Sequence, residues 1–337
     1  MTSRARWAWL LVITALSLAL AVGYGVWSFV QYQQRQAAPS SVSVESGVID
    51  SAVPHVVFRN TAAGAGYGHV AAVPLENPAG PRQVTDAVCD RVYSSGGTNA
   101  CLRTNAGIAT TFEAAVYTAD WTEERSWPLP GIPSRTRVSP DGTLVASTAF
   151  VTGHSYAPSG FSTATVIAKA TGGDFGNLED FTLIIDGRPI APVDRNLWGV
   201  TFGSDDNTFY ATAASGNKTW LVRGDLAERT LTSLLQTAEC PSISPDGTRI
   251  AYKKNTVQGP APHWNIAVLD LATKKETILS ESRSVDDQVE WLNNTTLLYG
   301  LPRSGTVGDS DVWSIAAAAN AAPALFIEHA WSPSVVR

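Results

Sequence analysis

One nine-residue phrase recurs along this chain, and no other feature restricts its fold as tightly. Val138-Ser139-Pro140-Asp141-Gly142-Thr143-Leu144-Val145-Ala146 returns as Ile243-Ser244-Pro245-Asp246-Gly247-Thr248-Arg249-Ile250-Ala251. Degenerate copies keep the outline: Phe202-Gly203-Ser204-Asp205-Asp206-Asn207-Thr208-Phe209-Tyr210, then Trp291-Leu292-Asn293-Asn294-Thr295-Thr296-Leu297-Leu298, and a weaker Tyr93-Ser94-Ser95-Gly96-Gly97-Thr98-Asn99-Ala100. The aligned threonines, at 98, 143, 208, 248 and 295, stand 45, 65, 40 and 47 residues apart. Each phrase has hairpin chemistry. An apolar strand arrives, Pro-Asp-Gly or Asp-Asn reverses the chain, and a β-branched run departs.

Two further strands are expected in each unit. Third strands lie at Thr163–Lys169, Trp220–Arg223, Asn265–Leu269 and Val312–Ile315, and fourth strands at Arg229–Leu235, Lys275–Leu279 and Ala324–Ile327. Four short antiparallel strands at a period of 40 to 47 residues describe a propeller blade, whereas a sandwich has no reason to repeat its turns in phase. The ends complete the count. His55–Asn60, His69–Pro74 and Arg82–Thr85 read as second, third and fourth strands without a first, and the chain closes on a first strand and turn, Phe326–Ser334, without a continuation. The fold class is therefore all-β: a six-bladed β-propeller closed by pairing the C-terminal strand with the N-terminal blade, which removes the exposed edge.

The Ser-Pro-Asp-Gly-Thr hairpins resemble the PD40-type, WD40-like repeats of TolB-like six-bladed propellers, over roughly residues 54–337. The resemblance implies an extracytoplasmic scaffold that binds proteins or ligands. It specifies blade structure more than activity. The chain departs from TolB in carrying no α/β domain ahead of the propeller, so the resemblance does not extend to a Tol–Pal system. Its tryptophans do not form the Gly-His and Trp-Asp pairs of WD40 blades.

From Trp7 to Val30 no residue is charged. A membrane helix needs ~20 such residues. Arg4 and Arg6 precede the run and Arg35 alone lies close behind, so the positive-inside bias keeps the N-terminus in the cytoplasm and exports the rest. Residues 1–6 are then cytoplasmic, 7–30 a single-pass signal anchor in the cell membrane, 31–53 a flexible polar linker and 54–337 the propeller. The competing reading is a signal peptide cut near Ala21, at Ala19-Leu20-Ala21, which would leave a secreted protein. The apolar run continues past that site and favours the anchor.

The net charge is −6, with no long basic run, which argues against nucleic acid as a partner. No GxSxG elbow, HExxH, CxxC, P-loop or GxGxxG occurs, so no catalytic motif and no cofactor is indicated. Cys89 and Cys101 flank the first complete hairpin and are candidates for a disulfide, while Cys240 reads as a buried free thiol.

Candidate contact residues are sought on the face opposite the Ser-Pro-Asp-Gly turns, where ligand sites of propellers usually lie. About twenty residues are extra in the 65-residue interval. Part of this insertion is a loop containing His154 and Tyr156; the rest surrounds the strand Phe181–Ile185. The loop at Gln258–Trp264 offers His263 and an exposed Trp264 beside two prolines. Glu239, Asp287 and Glu328 fall at equivalent strand starts. They form either a carboxylate ring suited to a cation or three separate acids balanced by Arg135 and Arg195. The reading that follows is a membrane-tethered, extracytoplasmic, non-catalytic interaction scaffold with envelope protein partners. The alternative is a small-molecule or metal-binding propeller, either a sensor or a hydrolase or lyase of the six-bladed type.

Overall fold

The computed structural model describes residues 3–45, 49, 51–107, 109–151, 162–257, 259 and 261–337. The chain divides into two compact units, Met1–Val42 with Ala62–Tyr67, and Ser43–Thr61 with Gly68–Arg337. The first holds an α-helix, Ser3–Ala37. Its stretch Trp7–Gln34 has a mean hydropathy of 2.1 and is long and apolar enough to cross a membrane.

The second unit is a six-bladed β-propeller. The inner strands, in chain order, are Arg91–Ser95, Ile132–Val138, Asn196–Phe202, Glu239–Ile243, Glu290–Asn293 and Ala330–Val336. The last belongs to the first blade. It pairs antiparallel with His55–Asn60, followed outward by His69–Pro74 and Arg82–Val88. The expected closure is present, with one change of register: Phe326-Ile327 ends the preceding blade, and Trp331-Ser332-Pro333 lies within the closing strand, not at a turn. A two-residue strand, Val44–Glu45, runs parallel to Arg82–Val88 and covers the outer edge of this blade.

The repeated phrase produces a repeated set of hydrogen bonds. Gly142 donates its N–H to the Ser139 carbonyl at 2.9 Å, and Gly247 to that of Ser244 at 2.8 Å. Both glycines have φ above +70°, a region open to them at little cost. Ser139 Oγ and Ser244 Oγ each donate to the following aspartate and accept the N–H of the residue five positions on. Asp141 and Asp246 also accept the N–H of Thr143 and Thr248. In the degenerate copies, Asp205 and Asn293 take over the aspartate's part. A Cβ on Gly96 would meet the Gly142 nitrogen at 2.3 Å, so two neighbouring turns touch backbone to backbone.

The described part of the insertion builds outward from a blade edge. Thr182–Ile185 and Arg188–Ile190 form a hairpin that extends the next blade outward to six strands, Thr182–Ile185 running parallel to Thr230–Gln236. Asp186 and Gly187 both have positive φ at its turn, as a tight two-residue hairpin of this twist requires.

The core is distributed. Among the described residues six buried apolar clusters occur, each between two adjacent blades. Trp291, Tyr252, Tyr299, Phe58 and Phe209 are the largest fully buried side chains. Polar side chains tie neighbouring inner strands together. Ser334 Oγ accepts the Ser94 N–H at 2.9 Å and donates to the Ser94 carbonyl at 3.0 Å, and Trp291 Nε1 donates to the Ser242 carbonyl at 2.9 Å.

Cys89 and Cys101 form a disulfide, with Cα atoms 5.4 Å apart. Cys89 stands in the connection between blades, one residue beyond Arg82–Val88, and not on a strand beside Cys101. The bond thus fastens the composite blade to the next one. Replacing both cysteines by alanine is expected to cost about 2–4 kcal/mol, read as a lower denaturation midpoint of the full chain in detergent, and reductant should shift the wild type alone.

Burial acts to raise the Asp141 carboxyl, but hydrogen bonds from Ser139 and Thr143 outweigh it and hold the group at about 2. Asp246 is likewise held low, first by Ser244 and then by Thr248. Lowered native values mean that the folded state binds fewer protons than the unfolded chain, so this stability is present above ~pH 4 and is lost as pH falls further. The double variant Asp141→Asn, Asp246→Asn should show a shallower acid limb in a pH series of denaturation midpoints.

Candidate functional site

Side chains on an inner strand alternate between the channel and the blade interior, and this chain places polar or charged groups at alternate positions on, or just before, several of them. Arg91 and Tyr93 share one parity, Arg135 and Arg137 another strand, and Gln288 and Glu290 a third. The result is a channel with two levels of charge, one at the strand starts and one nearer the turns.

At the strand starts, every carboxylate has a cation. Arg91 Nη1 lies 3.1 Å from Asp287 Oδ1, and its guanidinium stacks 4.9 Å from the centre of the Trp331 ring. Burial lowers the Arg91 pKa to about 10, with Arg135 adding to the shift and Asp287 opposing it. Lys253 Nζ sits 2.5 Å from Asp286 and 3.7 Å from Glu239, and 4.3 Å from the centre of the Trp264 ring. Burial raises the Glu239 carboxyl. Burial also works to lower the Lys253 ammonium, yet the Cys240 sulfur, Asp286 and Glu239 hold it above the ordinary lysine value. Cys240 is buried and free, and its N–H donates to Thr212 Oγ1 at 2.8 Å.

The three acids expected to share a ring are thus separated by their partners. Glu239 belongs to Lys253 and Asp287 to Arg91. Glu328 lies outside the channel, more than half exposed, 3.6 Å from Arg303. Among the described residues no group of three or more His, Cys, Asp or Glu is arranged to hold a metal. Arg195, offered as a balancing cation, donates instead to the carbonyls of Glu179 and Pro192. Trp264 is half-buried over Lys253 and is not an exposed anchor. His263 is half-buried and donates its main-chain N–H to Asn255 at 3.2 Å. His154 and Tyr156 lie outside the described residues.

Glu328 and its neighbour His329 serve the closure. Arg82 donates to the carbonyls of both, at 2.9 and 3.1 Å, and to Asn60 Oδ1 at 2.7 Å. The His329 ring lies between Asp309, 2.9 Å from Nδ1, and Arg303, 2.7 Å from Nε2. His329 itself has φ +51°.

The recess sequence reasoning missed is on the other face. A bowl of about 600 Å³ opens among the Ser-Pro-Asp-Gly turns, lined by Tyr93, Ser94, Trp121, Arg137, Glu290 and Arg337 among others. Tyr93 OH donates to Glu290 Oε1 at 3.3 Å, and Arg137 stacks 4.4 Å from the centre of the Tyr93 ring while lying 3.7 Å from Glu290 Oε2. Burial pushes both the Glu290 carboxyl and the Tyr93 phenol upward. Trp121 stands at the rim with φ +64°, a conformation costing roughly 1–3 kcal/mol for a bulky residue. The alternating charge on the strands before each turn was the available signal for this floor.

Solved structures that share this architecture include two above a TM-score of one half. TolB from Acinetobacter baumannii aligns with a TM-score of 0.59 over 86% of this chain and 68% of that one, at 14% identity. The fold is a TolB-like propeller. A chain of the nidogen/laminin complex aligns at 0.54, covering 84% of this chain and 98% of that one at 11% identity. Oligogalacturonate lyase in complex with manganese aligns at 0.48, over 76% and 72%, at 8% identity. No family model and no curated protein matches the sequence. At these identities the likeness is one of fold.

In this TolB-like propeller the channel pairs and the surface pairs should differ sharply in weight. Asp287→Ala strands a buried Arg91 and is expected to cost ~3–5 kcal/mol. Glu328→Ala removes an exposed pair worth under ~1 kcal/mol. Denaturant titration of the full chain in detergent separates the two.

Proposed function

We propose that this chain is a membrane-tethered protein-interaction scaffold, held outside the cytoplasm by its N-terminal helix, and that it performs no catalysis. The observation that carries this reading is the bowl. It is a recess framed by turns from several blades, with an aromatic rim, and its floor carboxylate is already engaged by Tyr93 and Arg137. No nucleophile–base pair is evident there, and the channel's acids are neutralised one by one, which leaves binding as the task the geometry suits. Trp121, held against backbone preference at the rim, supplies the large apolar surface on which protein contacts concentrate. The likeness to TolB and to a chain of the nidogen/laminin complex supports a scaffold.

The uncharged run and the arginines before it favour an uncleaved anchor with the N-terminus in the cytoplasm. The expected linker 31–53 is shorter than its bounds, because the helix runs to Ala37 and Val44–Glu45 already pairs on the propeller's edge, so the residues between them would act as the tether.

Detergent-solubilised full chain used as bait on membrane extracts should retain a defined protein, and Trp121→Ala should lose it while keeping the wild-type melting temperature. Equal retention by the variant, or no enriched protein, would overturn the reading.

A further inference from the structure

The large apolar side chains that the propeller leaves exposed are not spread evenly over its surface. Among the described residues outside the helix, most stand at the end where the inner strands begin. Val88 is the last residue of a fourth strand, and Ile132, the first of an inner strand, pairs with Phe150 near the end of a second. Val193, Val257 and Val307 lie in connections at the same end, Val193 and Val307 at 85% and 86% exposure. None of these exposed side chains lies on the five repeated turns, which instead expose Asp141, Asp205, Asp206 and Asp246.

Single exposed valines are ordinary on a protein surface. Here their distribution is informative. The six residues come from five of the six blades, so they mark out a face and not a groove. A peptide segment reaches only the tips of neighbouring blades, whereas a planar apolar partner meets tips all round the ring. The opposite end is unsuited to such a partner, because exposed carboxylates resist dehydration at an apolar boundary.

A separate observation says which planar partner is at hand. The connection from His55–Asn60 to His69–Pro74 joins a second strand to a third, and so belongs to this same end. Its residues Ala62–Tyr67 group with the helix in the first unit. Within that unit Tyr32, near the end of the apolar stretch Trp7–Gln34, meets Tyr67 edge to face, with ring centres 6.2 Å apart. A Cβ on Gly64 would meet Ser40 Cβ at 3.2 Å. The connection Thr61–Gly68 carries no charge. A tyrosine at the end of a membrane-length helix suits the headgroup level, and the strand connection packed on it is therefore brought to the same depth.

We infer that the strand-start face is a lipid-docking surface, resting on the bilayer that the helix spans, with Ile132, Phe150, Val193 and Val307 entering the interface. The bowl then opens away from the membrane. The inference rests on the reading of the helix as an uncleaved anchor and adds the orientation of the propeller on it. Few apolar tips bind a membrane weakly by themselves, but a tethered face meets the bilayer at high effective concentration.

The test reconstitutes the full chain in phosphatidylcholine vesicles with brominated acyl chains. Single variants Val193→Cys, Val307→Cys and Ser204→Cys carry an environment-sensitive fluorophore, Ser204 being on a repeated turn. The labels at 193 and 307 should be quenched several-fold more strongly than the label at 204. The double variant Val193→Asp, Val307→Asp should lose most of the quenching of a label at Ile132→Cys. Its melting temperature and its flotation with vesicles should stay those of the wild type, because both side chains are exposed and the helix is intact.

Equal quenching at all three positions, stronger quenching at 204, or none at any would overturn the docking surface. If the chain still floats with the vesicles, the anchor survives that result. A chain that does not float overturns anchor and docking together. Labels at 193 and 307 that are unquenched in pure lipid but shielded in native membrane vesicles would overturn the lipid occupant in favour of a protein.

Discussion

The propeller exists because Ala330–Val336 finds His55–Asn60. Their antiparallel ladder joins segments about 275 residues apart in sequence, and without it two blades would present open strand edges to solvent. The surroundings of that seam are built accordingly. Arg82 reaches from the fourth strand of the composite blade to the carbonyls just before the closing strand, and Gly300 leaves room for Trp331, since a Cβ there would meet the indole at 2.4 Å. The Cys89–Cys101 bond then fastens the same blade to its other neighbour. Closure is a non-local contact with an entropic cost, and a polar network of Arg82, Asn60, Arg303, Asp309 and His329 lies beside it.

A ring of blades creates a second constraint. Inner strands must approach one axis, and whatever they project into the channel is desolvated. Here that is a set of ions. Arg91, Lys253, Arg137, Asp287, Glu239 and Glu290 are tolerated because each faces an opposite charge, Lys253 and Glu239 within one blade and the other two pairs between blades. Removing one partner is therefore more damaging than the pair is stabilising. The same pairing neutralises the carboxylates at the strand-start level.

Local chemistry explains which features were legible in advance. The Ser-Pro-Asp-Gly phrase encodes its own hydrogen bonds over five residues, so turn, strand pair and blade period followed directly from it. The disulfide pair was visible because its two cysteines bracket one hairpin, although Cys89 proved to lie in the inter-blade connection. The insertion was found but its place was not: parallel addition to Thr230–Gln236, on the outer edge of the following blade, is a pairing between strands some forty-five residues apart. The acidic ring failed for a similar reason. Equivalent strand positions place Glu239, Asp287 and Glu328 in register, but register does not reveal that Lys253 and Arg91 arrive from other strands to separate them, or that Glu328 turns outward to Arg303.

The sequence alone determined a repeated hairpin, a six-blade count with its closing strand, and an uncharged N-terminal run long enough to span a bilayer. All three are written in neighbouring residues, through turn chemistry, periodicity and hydropathy. Only the tertiary structure decided which face of the channel opens and which charges survive pairing. Those outcomes depend on side chains brought from different blades to one axis, where low dielectric makes each unpaired ion or donor costly, and no local pattern records who the neighbours will be.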